Sequence, residues 1–310
     1  MDMLFTDDQL ALAETVRDYL SGTHGPEVLR RLDVDGNRDP AIWQGLVDMG
    51  LTGLLIPEDQ GGLGMGLADA ALVAVECGRA CLAEPLVETA FVAVPWLVAQ
   101  GRTSELAAIL AGTAKPELPH AINPWVADGT GAALTSVDPL RNLAAAPAER
   151  SDDPLLFNLG ALMSAAQLVG LADAMLAQAV EYAKIRTQFG QPIGAFQGLK
   201  HQLASCAVAI EFAKPVLWRA AQALADGLDS AAVHVSHAKV AATDAAQLTS
   251  ETAIQVHGAM GYTYEVDLHF WMKRSWALSG AWGSRAFHLR RVDAAVLGAS
   301  HPIGPEHTFA

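Results

Sequence analysis

Two stretches rich in arginine, glutamine and glycine hold the residues of this chain best suited to act on a ligand. Residues 186–204, RTQFGQPIGAFQGLKHQLA, open on Arg186, with Gln188, Phe189 and Gln197 close behind. Residues 254–284, IQVHGAMGYTYEVDLHFWMKRSWALSGAWGS, place Gln255 before His257-Gly258 and Gly261-Tyr262 and finish in Trp282-Gly283-Ser284. Glycine in such a run lets backbone approach a ligand closely. A third segment, LLIPEDQGGLGMG at 54–66, adds a glycine-rich loop. Singly, each has an ordinary explanation. The glycine cluster suits a helix-to-helix turn, and Arg186 suits a cation at a helix C-terminus. Gly258 and Gly261 suit a helix end beside a surface histidine, and Gln197 and Gln255 suit helix-surface amides.

The elements that must position these residues are helical. Thr6 and Gln9 form a capping-box pattern, followed by Leu10, Leu12, Val16, Tyr19 and Leu20 at helical spacing. Asp39-Pro40 reads as a cap and first turn before Ile42, Trp43, Leu46 and Met49. Helices are predicted over 84–99 and 103–111. Residues 112–154 break the pattern with many Pro, Gly, Asn and Asp, and Asp128-Gly129 predicts a small hairpin between 121–126 and 132–137. Beyond Pro154 the helical signal is strong: 155–185, 196–225, 230–256, a short helix near 268–277, and 283–297. Long helices joined by short loops predict an antiparallel bundle. The reading is mostly α, with an N-terminal helical domain at 1–111, a vestigial middle segment at 112–154 and a C-terminal four-helix bundle at 155–310.

Composition narrows the classes of function. Half the residues are apolar and few are aromatic, which suits packed helices. A net charge of −14 with no Lys/Arg run argues against a nucleic-acid groove. Cys77, Cys81 and Cys206 are an odd count without metal-ligand spacing, so buried thiols are expected. The N-terminus MDMLFTDDQ is acidic, and the greasy stretch at 86–99 contains Glu88 and Pro95, so no membrane span is expected and the location is read as cytoplasmic.

In their order and separation, the three segments resemble the acyl-CoA dehydrogenase family. The Arg-x-x-Phe-Gly and His-Gly-x-x-Gly-Tyr motifs are set apart as that family has them, with two long helices between. The resemblance implies FAD and an acyl-CoA thioester substrate. A flavin takes a hydride from the β-carbon while a carboxylate removes the α-proton. It also implies a cofactor held across a subunit interface, one chain's bundle gripping the adenine and pyrophosphate of its neighbour's FAD. Arg186 would pair with the diphosphate, Phe189 pack on the cofactor, and Gln188 and Gln197 hydrogen-bond it. Gln255 and the Gly258 turn would face the adenine side, and Gly283 and Ser284 stand where the family contacts FAD.

Two departures alter what the resemblance implies. Residues 112–154 are far shorter than the family's β-domain and lack its Gly-Ser-Asp loop and Trp-x-Thr strand. The catalytic base is also missing. Trp282 stands where most members carry Glu, and Gly160 where others carry it, 26 residues before Arg186. An indole has no usable basic nitrogen. Glu265 and Asp267 follow Gly261, but Glu265 matches a family position distant from the base and suits a local cap or ion pair. Glu181 and Glu251 fall on predicted helix surfaces. The expected function is that of a non-catalytic subunit in an α2β2 enzyme, sharing FAD with a full-length acyl-CoA dehydrogenase-like partner, like actinobacterial pairs acting on steroid side-chain CoA thioesters. Two rivals stand beside it: a homomeric flavin oxidoreductase with a relocated base, and a flavin-free helical assembly subunit.

Overall fold

The computed structural model describes residues 5–298 and Gly304 and is overwhelmingly helical. The first helix, α1 (Asp7–Thr23), starts at a reciprocal cap. Gln9 N–H donates to Thr6 Oγ1 at 3.2 Å, and Thr6 N–H donates to Gln9 Oε1 at 3.0 Å. Helix α2 (Pro26–Asp35) escapes the sequence reading; its only signals are Pro26 in the first turn and the buried Leu29/Leu32 pair. Asp39 caps α3 (Pro40–Asp48) by accepting from Ala41 N–H at 3.0 Å. The glycine-rich loop is a turn folded on itself. Gly61 and Gly64 have φ of 87° and 60°, and a Cβ on Gly62 would meet Ile56 O at 2.2 Å. It delivers the chain into α4 (Leu67–Arg79).

The single helix expected over 84–99 is divided. π-Helical turns over Val87–Ala93 lead into α5 (Val94–Ala99), whose first turn holds Pro95. Proline offers no N–H and crowds the carbonyl four residues back, and a wider register before it relieves both. A 3₁₀ turn at Thr103–Glu105 precedes α6 (Leu106–Leu110).

The middle of the chain forms a three-stranded sheet from β1 (Trp125–Ala127), β2 (Ala133–Leu134) and β3 (Leu143–Ala145). The hairpin expected at Asp128-Gly129 does not form. Strand β3 lies between β1 and β2 and pairs antiparallel with both, setting Val126 opposite Ala144. Asp128, at φ 49°, explains the redirection. Its N–H donates to Asn142 O at 2.8 Å and its carboxylate pairs with Arg38 at 2.6 Å, which steers the chain past β2.

Helices α7 (Pro154–Ile185), α8 (Gln197–Ala225) and α9 (Ala231–His257) form the body of the bundle. Helix α10 (Leu268–Gly280) packs on α7 and α9, and α11 (Arg285–Leu297) packs on α9. A two-residue hairpin of β4 (Thr187–Gln188) and β5 (Gln191–Pro192) links α7 to α8. Helix α7 is apolar and long enough to cross a membrane, but 94% of its most apolar window is buried inside the protein. Its burial begins at a crossing of glycines. A Cβ on Gly78 would lie 2.1 Å from Gln167 O, and one on Gly170 would lie 1.9 Å from Val75 O, so α4 and α7 meet backbone to backbone. All three cysteines are buried and free, and burial pushes the Cys81 thiol up to about 12.

Candidate functional site

At the C-terminal end of α7, three helix termini come together. Arg186 is the C-cap, with its N–H on Tyr182 O at 2.9 Å and its side chain exposed. It enters no salt bridge among the described residues. Phe189 and Gly190 turn the hairpin with φ of 52° and 81°, and Phe189 is 92% exposed, its ring edge-on to Phe196 at 6.2 Å. A bulky residue in left-handed backbone is strained, and one left in solvent gains no packing in return. Gln188 lies on that hairpin, Gln197 begins α8, and both are exposed. The end of α9 is held beside them. Tyr182 stacks on His257 at 4.4 Å, and its hydroxyl lies 3.7 Å from Met260 Sδ. Gln255 is exposed on the last turn of α9, and Gly258, at φ 61° and ψ −137°, occupies backbone space open to glycine.

Gly160, near the other end of α7, and Trp282 touch. A Cβ on Gly160 would lie 2.2 Å from Cδ2 and 2.3 Å from Cε2 of the indole. Trp282 is 4% exposed and held at φ 54°. Its N–H donates to Asn123 Oδ1 at 3.1 Å, and its carbonyl lies 2.9 Å from His288 Nε2. Burial lowers the His288 pKa to about 4, so the ring is neutral, and a carbonyl partner requires the proton on Nε2. The His120 ring lies 5.7 Å from the indole, with Nδ1 accepting from Ile122 N–H at 3.1 Å. Gly283, at φ 96°, has no room for a side chain, which would meet His288 Nε2 at 2.8 Å. Ser284 caps α11 by accepting from Phe287 N–H at 3.3 Å. Beside this cluster a cavity of about 350 Å³ is lined by His120, Asp152, Phe157, Phe287 and Arg291.

The eight residues singled out in the sequence therefore fall into two sets. Arg186, Gln188, Phe189, Gln197, Gln255 and Gly258 share one end of the bundle; Gly283 and Ser284 share the other with Trp282. Gly160 and Arg186 are 26 positions apart on one helix, about 39 Å at 1.5 Å per residue. Asn123, His120 and His288, which fix Trp282, escape the sequence reading. Asn123 and His120 sit in the irregular middle segment, where no periodicity marks a buried side chain. Of the acids weighed in the sequence, Asp267 pairs with Arg30 at 2.6 Å and Glu181 with Lys184 at 2.5 Å. The Glu265 side chain makes no ion pair among the described residues. It lines a cavity of about 660 Å³ between α1, α4 and α7.

Comparison with known proteins places this architecture. The acyl-CoA dehydrogenase C-terminal domain matches residues 155–297, and the family's N-terminal domain matches residues 6–116. Acyl-CoA dehydrogenase IpdE2 of Mycobacterium tuberculosis is 32% identical over 316 aligned positions, taking in 94% of this chain and 98% of the relative. FadE34 of the same organism is 30% identical over 93% of this chain, which spans only 48% of that protein. Among solved structures, the ChsE4–ChsE5 complex of M. tuberculosis aligns with a TM-score of 0.83 at 22% identity, covering 98% of this chain and 100% of that one. Butyryl-CoA dehydrogenase of Megasphaera elsdenii aligns at 0.84 and 21%, covering 96% and 100%. Two matched domains and near full-length identity to a relative lead to one conclusion: the chain belongs to the acyl-CoA dehydrogenase family.

Proposed function

We propose that this chain is the non-catalytic subunit of a heteromeric acyl-CoA dehydrogenase. It presents the Arg186 end of its bundle to the adenine and pyrophosphate of an FAD whose ring lies in a full-length partner. The observation that carries the reading is the contact of Trp282 with Gly160. The two positions where the family places its base are in van der Waals contact here, and the indole fills the space between them. No carboxylate stands at either position, so α-proton removal falls to the partner.

The residues at the open end fit the phosphate-bearing half of FAD. An exposed guanidinium without an ion-pair partner can take two phosphate oxygens, an aromatic ring stands out in solvent, and Gly258 leaves room for close approach. FAD, when bound, supplies the hydride acceptor. Arg186 neutralises the diphosphate, Phe189 covers a cofactor face, and Gln188, Gln197 and Gln255 orient it by hydrogen bonds. Ser284 Oγ accepts from Phe287 N–H in its cap on α11 and keeps its own O–H to donate to a cofactor. The two sets of residues are too far apart to grip one dinucleotide within this chain, which supports a site shared between chains. The acyl group is proposed to be bulky, of the steroid side-chain class. One solved neighbour, at 21% identity, is described as a steroid acyl-CoA dehydrogenase. A cytoplasmic location accompanies the proposal.

The test is co-expression with a full-length family member, followed by the flavin-to-protein ratio of the purified complex. Arg186→Ala removes a charge-assisted contact of about 1.5–3 kcal/mol, roughly 10- to 150-fold in FAD affinity, and should yield a complex depleted in flavin. An unchanged ratio would favour the flavin-free assembly subunit. Full flavin occupancy and acyl-CoA turnover by this chain purified alone would establish the homomeric enzyme instead.

A further inference from the structure

Away from both ends of α7, three arginines converge on one small cavity where the N-terminal helices, the middle segment and the bundle meet. Arg38, Arg141 and Arg274 line it with Glu84, Glu88, Asp128 and Gln167, and it has about 10 Å³ of space for the centre of a water-sized sphere. That is room for one small occupant. Each arginine already holds one carboxylate: Arg38 with Asp128 at 2.6 Å, Arg141 with Glu88 at 3.2 Å, and Arg274 with the fully buried Asp138. Yet Arg38 Nε, Arg141 Nη1, Arg274 Nη2 and Glu84 Oε2 are all buried without a hydrogen-bond partner among the described residues. Buried charged donors left unpaired are costly, and native proteins satisfy nearly all of them.

We propose that this cavity binds a single monatomic halide ion, chloride in the cell, held by Arg38, Arg141 and Arg274. The donor count favours an anion over water. Arg38 Nε, Arg141 Nη1 and Arg274 Nη2 together carry five N–H hydrogens, more than the two lone pairs of one water can accept, although a water could donate to an ionised Glu84 Oε2. A halide accepts from every direction and donates nothing.

The charge balance gives the site a second property. Three arginines cancel Asp128, Glu88 and Asp138, which leaves Glu84 as the remaining ionisable lining group. Burial raises the Glu84 carboxyl above its ordinary value of 4.5, against the pull of Arg38, Lys115 and Arg274, which favour the ionised form. Its neighbours are His24, whose Nδ1 lies 3.8 Å from Oε2, together with Arg38, Lys115 and Arg274. Burial holds His24 to about 4, so that ring brings no charge at neutral pH. Protonated, Glu84 is a fourth donor and the lining is neutral, ready for one anion; ionised, it repels that anion. Halide and proton therefore enter together.

Crystals of the full chain grown in sodium bromide, with data collected at the bromine absorption edge, test the assignment. One anomalous peak in this cavity is expected. In solution, replacing gluconate by chloride at constant ionic strength should raise Tm, and more so at about pH 5 than at about pH 8. Glu84→Gln stays neutral at both, and should keep the chloride effect while losing its pH dependence. Arg38→Gln, at the most exposed of the three arginines, should abolish it. Density in the cavity without bromine anomalous signal means an ordered water and overturns the proposal. Equal Tm in chloride and gluconate at the lower pH also overturns it, as does a chloride effect that survives Arg38→Gln.

Discussion

Trp282 is the residue on which the functional reading turns, and its environment makes that reading testable one side chain at a time. A methyl group on Gly160 would overlap the indole at 2.2 Å, so Gly160→Ala is overpacked. A loss of about 1–3 kcal/mol in chemical denaturation is expected. Trp282→Leu, with its smaller side chain, should recover part of that loss in the double variant, and additive effects would show that the two positions do not touch. The histidines set a pH dependence. His24 and His288 are buried neutral with pKa held to about 4 against an ordinary 6.5. Between those values the unfolded chain takes up protons that the folded chain refuses, so the contribution of these two rings to stability falls as pH drops from 6.5 towards 4. Each contributes on the order of 3 kcal/mol across the window. Glu84, with its raised pKa, acts oppositely, losing its contribution as pH rises, whereas His120, His237 and His269, also lowered by burial, act with the pair. Urea midpoints measured at pH 7 and pH 4.5 should show the decline, and His288→Gln should make it shallower.

At the scale of elements, helix α7 organises the molecule, and it is also the element most legible in the sequence. Its apolar run beyond Pro154 announces it, and its end falls at Ile185 as expected; the cap at Asp153 is seen only in the structure. Helices α8 and α9 were readable for the same reason. What periodicity could not show is contact. The crossing of α4 and α7 depends on Gly78 and Gly170, which in sequence are only two weak points in helical patterns. Gly170→Ala would press a methyl group 1.9 Å from Val75 O and force the helices apart. It should cost about 1–3 kcal/mol or more, whereas the same change at Gly198, with open space around it, should cost little or stabilise. Comparable Tm values for the two variants would refute the crossing. The π-helical turns before Pro95 and the strand order β1-β3-β2 were illegible as well. The strand order is decided by partners distant in sequence, Asn142 and Arg38 in the case of Asp128, and the π-helical turns by how the chain accommodates Pro95.

For the whole molecule, the sequence indicates the family and puts Trp282 and Gly160 where the resemblance implies a carboxylate, and the fold brings those two residues into contact. Apolar exposure is not confined to the shortened middle, as the truncation alone would predict. Leu134 and Val137 are exposed there, but Ile185, Phe189 and Phe212 stand out on the bundle. The heteromeric reading makes those side chains interfacial, and hydrogen–deuterium exchange on the assembled complex should protect the hairpin at 187–192 relative to the isolated chain. Equal exchange in both states would remove that face from the contact.

Because α7 is one unbroken helix, Gly160 towards one extremity and Arg186 at the other stand about 39 Å apart. A tryptophan can be wedged against one tip without disturbing an arginine at the other. On the proposed reading, that distance lets a side chain be exchanged at the tip beside Trp282 while the surface offered at the far tip keeps its shape.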